Sequence, residues 1–445
     1  MDRDLINVFV LGLSFMFLFT AFQTNGFIQG PMIDSINHEY GKDQYGANTF
    51  VSMCLIYLIF SLVNWIAPAF VKLFGARISM IVSGITYILF VANFLWPQAW
   101  LLYIVSMIVG FGAAILWTAQ GYYLTVCSTE KTIGRNSGLF WTLFQCSLLF
   151  GNIFVFVYFK DMTGEDIPHS TRTITYIVLS IVGSIGIVTM FFLGSPKSLQ
   201  SQESIESSGS FNIIESIKES FALLSTRRMI LLCITFWYTG IELSFYSGVF
   251  TTALGRINSL DKDGGNAKKY VGLAGMLIGI GEIVGGLIFG ILGSKTVRWG
   301  RDPIIVLGYF IHMVSFLLIL INFPPDSTIS ETVKKSAYID PNLTIALISG
   351  FLLGFADSCY CTQCMSILGT LYADNSAPAF ALFKFFQSIA CACAFFYTPY
   401  FNLYIQLAIL AIFASIGTLT FVIVEWKLRR DEHINLNNDH RVHQS

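Results

Sequence analysis

Twelve apolar runs, each about as long as a bilayer is thick, constrain this 445-residue chain more than any other feature. A membrane-spanning helix needs about 20 apolar residues, whereas a strand of a membrane barrel needs about ten. The run lengths therefore predict an all-α polytopic membrane protein with twelve transmembrane helices. The predicted spans are 6–28, 48–71, 78–95, 99–126, 138–159, 173–194, 228–254, 270–293, 303–322, 343–371, 379–400 and 402–426.

The amino-acid composition also indicates a protein that lies mainly within the lipid bilayer. Only 12% of residues are charged and the mean hydropathy is +0.66, whereas soluble domains carry about 25% charged residues. The net charge of −1 gives no indication of a nucleic-acid partner. No hydrolase triad, phosphate-binding loop or dinucleotide fingerprint occurs in a plausible context, so the sequence predicts neither an enzyme nor a cofactor.

The loops predict the orientation of the chain in the membrane. An even number of spans places both termini on one side, and the loops on that side hold sixteen Lys and Arg residues against nine on the other. Basic residues favour the cytoplasmic side, so both termini are expected there. Asn342, in the sequence Asn-Leu-Thr, is then a candidate glycosylation site on the opposite side.

One long polar linker suggests two halves. The predicted units are an N-terminal six-helix bundle (1–194), a cytoplasmic linker (195–227), a C-terminal six-helix bundle (228–426) and a polar, unstructured cytoplasmic tail (427–445). The linker segment 213–224 has apolar residues at helical spacing and is expected to lie along the membrane face.

The two halves repeat in sequence. Phe17-Leu-Phe-Thr-Ala-Phe-Gln23 in the first span aligns with Phe236-Trp-Tyr-Thr-Gly-Ile-Glu242 in the seventh, and Phe144-Gln145 aligns with Phe386-Gln387. Two parallel six-helix repeats related by an axis along the membrane normal resemble the major facilitator arrangement. That resemblance implies that the first, fourth, seventh and tenth helices line a central cavity.

The loop after the eighth span resembles the cytoplasmic Gly-x-x-x-Asp-Arg-x-Gly-Arg motif of that superfamily. Its candidate gating residues are Gly293, Arg298, Gly300 and Arg301. Val297 stands where the motif has its acid, and Lys72 takes that place in the first half. Both halves therefore lack the acid on which the motif's gating contact depends.

Other motifs resemble the Unc-ninety-three-like family over nearly the whole chain. They are Phe19-Thr-Ala-Phe-Gln-Thr24, Leu116-Trp-Thr-Ala-Gln-Gly121 with Ile133-Gly-Arg-Asn-Ser-Gly138, Gly240-Ile-Glu-Leu-Ser-Phe245, and Gly281-Glu282 followed by Gly285-Gly286. The resemblance implies a major facilitator fold. Members of that family are associated with potassium-channel regulation, receptor trafficking and transport of unidentified substrates, so the resemblance leaves the activity open.

Three carboxylates lie deep inside apolar spans. Glu242, Glu282 and Asp357 are about 20, 16 and 21 Å from the expected cytoplasmic end of their helices, at about 1.5 Å per residue. A charge at the bilayer centre costs about 3 kcal/mol on insertion scales, so such residues usually face a cavity or the bundle interior. The shared depth predicts a substrate or ion site, and the low dielectric predicts that protonation is coupled to binding.

Polar residues in the inner spans complete the candidate lining, with Gln23, Gln120, Gln145 and Gln387 as hydrogen-bonding groups and Glu242 and Asp357 as charged ones. Amides also join membrane helices to one another, and Glu282, Thr20 and Thr239 are candidates for either coupling or packing.

Three other polar features are given structural interpretations. Lys384 is expected to extend to the membrane interface, and His312 to be a packed polar residue in an outward-facing helix. The three cysteines of Cys359-Tyr-Cys-Thr-Gln-Cys364 are interpreted as small buried hydrophobes, so no metal is predicted.

The leading hypothesis is a transporter of a small solute or ion by alternating access with proton or cation coupling. Acidic groups occur only in the core of the second half, which favours a cationic or proton-coupled substrate. The alternative is a regulatory or trafficking subunit that binds an ion channel, such as a potassium channel, or a membrane receptor.

Overall fold

The computed structural model describes residues 3–41, 45–159, 167–196, 213–260, 269–291, 300–329, 332 and 338–442. Within these residues the chain is almost entirely helical, and its only β pairing is an isolated bridge between Ile257 and Thr332. The first half forms α1 (Arg3–Tyr40), α2 (Thr49–Val63), α3 (Ala67–Ala92), α4 (Ala99–Val126), α5 (Ile133–Phe159) and α6 (His169–Met190). The linker contains α7 (Ile213–Leu224). The second half forms α8 (Arg227–Ser244), α9 (Phe250–Gly255), α10 (Lys269–Ile291), α11 (Asp302–Asn322), α12 (Leu343–Leu371), α13 (Ser376–Tyr397) and α14 (Leu403–Val442).

Eleven helical segments of the described chain are long and apolar enough to cross a membrane, and a shorter apolar helix covers Val51–Val63. The predicted all-α architecture with twelve spans is confirmed. The predicted second span is interrupted at residues 64–66, since α3 begins at Ala67 with Pro68 in its first turn. Within α3, Gly75 has φ +74°, a conformation that glycine adopts without steric cost. The chain changes direction there, so α3 contains the end of the second span and all of the third.

Successive spans run in opposite directions. At the end of the molecule where α1 begins, here called the terminal face, the Gly194 amide after α6 donates to Asn7 Oδ1 (3.0 Å). At the other end, the opposite face, Arg172 at the start of α6 pairs with Glu39 at the end of α1. This antiparallel packing returns each helix across the same apolar layer.

The first-half and second-half helices meet along two seams. In one seam α10 packs along α5, and in the other α13 packs against α2 and α4. Glycines allow the close approach: a Cβ at Gly138 would collide with the backbone of Gly290, and one at Gly286 with Thr142. Such small residues at helix contacts are typical of membrane bundles. In lipid the hydrophobic effect does not drive helices together, so close van der Waals packing has to stabilise their association.

The linker helix α7 lies at the terminal face, where it packs against α13 of the second half and also contacts the first half. Phe221 stacks on Trp65 with ring centroids 4.6 Å apart, and Lys72 pairs with Glu219 at 2.6 Å. Lys72, which stands where the superfamily motif has an acid, therefore has an acidic partner in the linker. At the chain's end α14 continues to Val442, so the prediction of an unstructured tail is wrong over residues 427–442.

Candidate functional site

The three carboxylates come from three neighbouring helices and are all buried. Glu242 lies on α8, Glu282 on α10 and Asp357 on α12, and their side chains are at most 1% exposed. Helix α12 packs against both α8 and α10, so the three acids lie close enough to influence one another electrostatically. They point into the protein rather than toward lipid.

Glu242 is paired with a histidine. His312 Nε2, on α11, lies 2.6 Å from Glu242 Oε1, and both side chains are fully buried. The other imidazole nitrogen, Nδ1, lies 2.6 Å from the Tyr238 hydroxyl. The interpretation of His312 as a packed polar residue in an outward-facing helix omitted this contact, because α11 turns one face inward toward α12. His312 connects the acid of α8 to a second helix.

Glu282 forms a hydrogen bond across the seam between the two halves. The Trp141 indole Nε1, on α5, donates to Glu282 Oε2 over 2.7 Å. The glycines around Glu282 also bring α12 close, since a Cβ at Gly281 would collide with the Phe351 carbonyl and one at Gly285 with Ser358. Glu282 therefore combines tight packing with a polar contact between the halves.

Asp357 has two side-chain neighbours within hydrogen-bonding reach, the Cys361 thiol of its own helix and the Glu282 carboxyl of α10. The Cys361 thiol approaches Asp357 Oδ1 at 3.4 Å, and the contact between the two carboxyl groups becomes a hydrogen bond when one of them is protonated. The cysteines of this helix are free thiols. No group of three or more His, Cys, Asp or Glu side chains in the described ranges could hold a metal ion.

Lys384 lies inside the protein, and the prediction that it extends to the membrane interface is wrong. Its side chain is only 6% exposed. The ammonium group donates to Gln387 Oε1 (2.7 Å) and lies 4.2 Å from the centre of the Trp117 ring. These two contacts explain the inward orientation, because they replace part of the hydration that an interfacial position would provide.

The predicted amides and hydroxyls divide into two groups. Gln387 Nε2 donates to Thr239 Oγ1 (3.2 Å), and Ser147 donates to Gln23 Oε1 (2.5 Å), so these amides join helices. Thr20 Oγ1 donates to the Met16 carbonyl of its own helix.

Gln120 and Gln145, each 1% exposed, form the second group. Gln120 Nε2 and Gln145 Oε1 have no hydrogen-bond partner within the described ranges.

Of the predicted gating loop, Gly293 and Arg298 lie outside the described residues. Gly300 has φ +96°, and Arg301 is buried at the terminal face. The Arg301 guanidinium pairs with Glu425 of α14 at 3.2 Å. At the opposite face, the sequon residue Asn342 is exposed, and its Oδ1 accepts the Thr344 amide (2.9 Å) at the start of α12.

A cavity of about 430 Å³ opens at the terminal face between the two halves. Hydroxyl groups and one carboxylate line it, with the main polar contributions from Thr125, Ser128, Thr129, Glu130 and Thr370. The buried carboxylates are not among its lining residues, so the acidic layer is closed off from this opening.

Comparison with known proteins assigns the family. The sequence profile described as "Ion channel regulatory protein UNC-93" matches residues 44–422. The chain belongs to the UNC-93 family. It is 42% identical to the UNC93-like protein MFSD11 of Xenopus tropicalis, over 98% of this chain and 99% of that one. It is 23% identical to protein unc-93 homolog A of Homo sapiens, over 96% of this chain and 94% of that one.

Solved structures give this UNC-93 family member its fold class. The major facilitator superfamily transporter FucP, in the outward conformation, matches with a TM-score of 0.66 at 15% identity, over 95% of this chain and 99% of that one. The proton:xylose symporter XylE matches with a TM-score of 0.67 at 13% identity, over 95% of each chain. The chain therefore has the major facilitator fold and is a multi-pass membrane protein.

Three residues of this site were missed or misread from the sequence: His312, Tyr238 and Trp141. For His312 a signal existed, since it lies ten residues after the start of α11, about 15 Å deep at 1.5 Å per residue. That depth places it near the layer of the carboxylates. Trp141 and Tyr238 gave no such signal, because tyrosine and tryptophan are common in membrane helices.

Proposed function

We propose that this UNC-93 family member transports a small solute by alternating access between its two halves, with movement of a proton or cation coupled to that of the solute. The observation that carries the proposal is the closed acidic layer, in which Glu242, Glu282 and Asp357 are buried and Glu282 contacts the first half through Trp141. A buried charge is a costly means of holding helices together, which favours a functional role for these carboxylates.

The seam contacts support the same proposal. The Trp141–Glu282 hydrogen bond joins α5 to α10, and the contact of Lys384 with Trp117 joins α13 to α4. Both lie between helices of different halves, so an opening movement has to break them. FucP and XylE share this fold, and XylE is described as a proton:xylose symporter.

The proposed site takes its charged groups from Glu242 and Asp357. Its neutral lining comes from Gln120 and Gln145, whose amides have atoms left unpaired, and from Gln23 and Gln387, which bond to Ser147 and Thr239. Three acids facing one lysine favour a cationic solute or one that moves with protons. The proposed bundles are residues 1–194 and 228–426, with both termini in the cytoplasm.

The experiment is an uptake screen with the purified full-length protein in liposomes, using cationic and neutral solutes with and without a pH gradient. Asp357→Asn should abolish the uptake that wild-type protein shows. Asp374→Asn is the matched control, because Asp374 is an exposed carboxylate just beyond the end of α12. Equal uptake by wild-type protein and Asp357→Asn, at equal protein levels, would contradict the assignment of the site.

A second candidate function is regulation of an ion channel or membrane receptor without transport. The description of the family as ion channel regulatory proteins favours it. So does Lys72 at the place of the motif acid, because its partner is Glu219 of the linker. This candidate predicts no uptake of any solute, together with a co-purifying membrane protein whose amount or activity changes when surface residues of α7 are substituted.

A further inference from the structure

The pair formed by Glu242 and His312 lies within the second half, away from the seam contacts that the proposed transport uses. His312 Nε2 is 2.6 Å from Glu242 Oε1, and His312 Nδ1 is 2.6 Å from the Tyr238 hydroxyl. All three side chains are fully buried. We infer that Glu242, His312 and Tyr238 form one proton-binding site, and that the ion coupled to the proposed transport is therefore H⁺.

The imidazole is held in one orientation by its neighbours. It lies parallel to the Phe316 ring (3° between planes, 5.3 Å between centroids) and stacks on Tyr360 at 5.6 Å. Tyr238 meets it edge-on at 5.7 Å. Since the ring cannot turn without displacing these rings, both nitrogens stay at hydrogen-bonding distance from their partners.

The unit can take up one proton without losing the hydrogen bond to Tyr238. With Glu242 ionised and His312 neutral, the Tyr238 hydroxyl donates to Nδ1, Nε2 lies 2.6 Å from the carboxylate, and the unit carries a charge of −1. With one proton added, Nδ1–H donates to the Tyr238 oxygen, and the imidazolium forms an ion pair with the Glu242 carboxylate. The unit is then neutral, because only a proton has been added and no electrons move.

The surroundings favour a proton over a metal cation. The titratable groups that face the site are Asp357, Cys359, Tyr360 and Cys364 from α12, Glu282 from α10, Tyr309 from α11 and Tyr246 from the chain just after α8.

Lys384 on α13 is the cation beside Asp357. Three ionised carboxylates against this one ammonium would leave an uncompensated buried charge, and protonation removes it. A metal cation would need several oxygen ligands. One oxygen of Glu242 is already in contact with the His312 imidazole, so it is not available as a ligand.

The helix containing Glu242 changes its geometry just beyond the pair. Residues Phe245–Val249 form a π-helical turn three residues after Glu242. Such wide turns are uncommon and occur frequently at functional sites. A change in charge at Glu242 therefore acts next to a segment whose backbone hydrogen bonds already depart from the α-helical pattern. Protonation can change the conformation of α8 at this segment.

The test measures proton binding directly and needs no solute. Infrared difference spectra of the purified full-length protein, recorded over a pH series with labelled histidine, follow the carboxyl C=O band and the imidazole bands together. Wild-type protein should show one carboxyl signal and one buried imidazole signal that titrate with a common midpoint. Glu242→Gln and His312→Phe should each abolish this common transition. His169→Gln, at an exposed position, is the matched control and should leave it unchanged.

Tyr238→Phe keeps the ring and removes only the hydroxyl, so it should retain the transition but shift its midpoint. This variant also tests the inference if either charged-site variant fails to fold. Separate midpoints for the carboxyl and the imidazole, or a transition unchanged in Glu242→Gln or in Tyr238→Phe, would overturn the inference.

The assignment of H⁺ as the coupled ion rests on the proposed transport, whereas the proton site does not. If the common transition is present but no solute is taken up in the screen, the transport proposal fails and the proton site stands. If uptake occurs and the transition is absent, the proton site fails and the transport proposal stands.

Discussion

The buried pair between Arg301 and Glu425 gives a prediction with a magnitude. Arg301 Nη1 lies 3.2 Å from Glu425 Oε2, and the Arg301 backbone amide donates to Glu425 Oε1 (2.9 Å). The guanidinium also donates to Ser366 (2.9 Å) and Thr370 (2.6 Å). The two charged side chains are 3% and 1% exposed, so neither has access to water.

Glu425→Leu should therefore destabilise the protein strongly. It leaves the guanidinium charged and buried and the Arg301 amide without its acceptor, and removing one partner of a buried pair costs about 3–5 kcal/mol. The double variant Arg301→Met with Glu425→Leu should recover most of that loss, because two apolar side chains of similar volume leave no buried charge.

A second ion pair at the same face is the control. Arg429 pairs with Asp302, but these side chains are 32% and 15% exposed. Arg429→Met should cost only about 0–1 kcal/mol, as for other solvent-screened pairs.

The assay is the free energy of unfolding of the full-length protein in mixed micelles titrated with SDS. The reasoning from burial is refuted if Glu425→Leu lowers the free energy of unfolding no more than Arg429→Met does. It is also refuted if the double variant is no more stable than Glu425→Leu.

Three further predictions concern packing, the linker and topology. Gly240→Ala should lower the yield of folded protein, because its Cβ would collide with the Gln387 carbonyl, whereas Gly26→Ala, with no atom nearer than 4.0 Å, should be tolerated in the same size-exclusion assay. Glu219→Lys should loosen α7, and Lys72→Glu combined with it should restore the contact; protease cleavage within α7 measures both, and equal cleavage of all forms would count against the pair. A tag at either terminus should be accessible only from the cytoplasm. Labelling of the tag from outside intact cells would contradict the predicted orientation.

Most of the architecture was accessible from the sequence because bilayer thickness fixes helix length. The exceptions have local causes. The predicted boundary between the second and third spans, residues 72–77, contains the turn at Gly75, but the break in the helix at residues 64–66 was not predicted. The helical end of the chain was missed because residues 427–442 are polar, yet they extend a helix already nucleated in the membrane.

The site was only partly accessible from the sequence. Depth along each helix correctly brought Glu242, Glu282 and Asp357 into one layer, because rise per residue is constant in a helix. Which way a side chain points at that depth depends on neighbouring helices, which hydropathy does not encode. Lys384 was therefore assigned to the interface although Trp117 of another helix holds it inside, and the contact between His312 and Glu242 was not foreseen.

The internal repeat explains why an acid occupies position 242. In the first half Gln23 of the first span accepts from Ser147 of the fifth, which joins those two helices. In the second half the equivalent helices are joined instead by Gln387 donating to Thr239, one turn before the position that matches Gln23. Position 242 is thereby not needed to join α8 to α13, and its side chain contacts His312 of α11 instead. Glu242→Gln, which restores the residue of the first half, should accordingly leave the fold intact while removing the proton-binding transition. If that variant fails to fold while Thr239→Ala folds normally, the acid is the residue that holds the helices together, and the argument from the repeat is wrong.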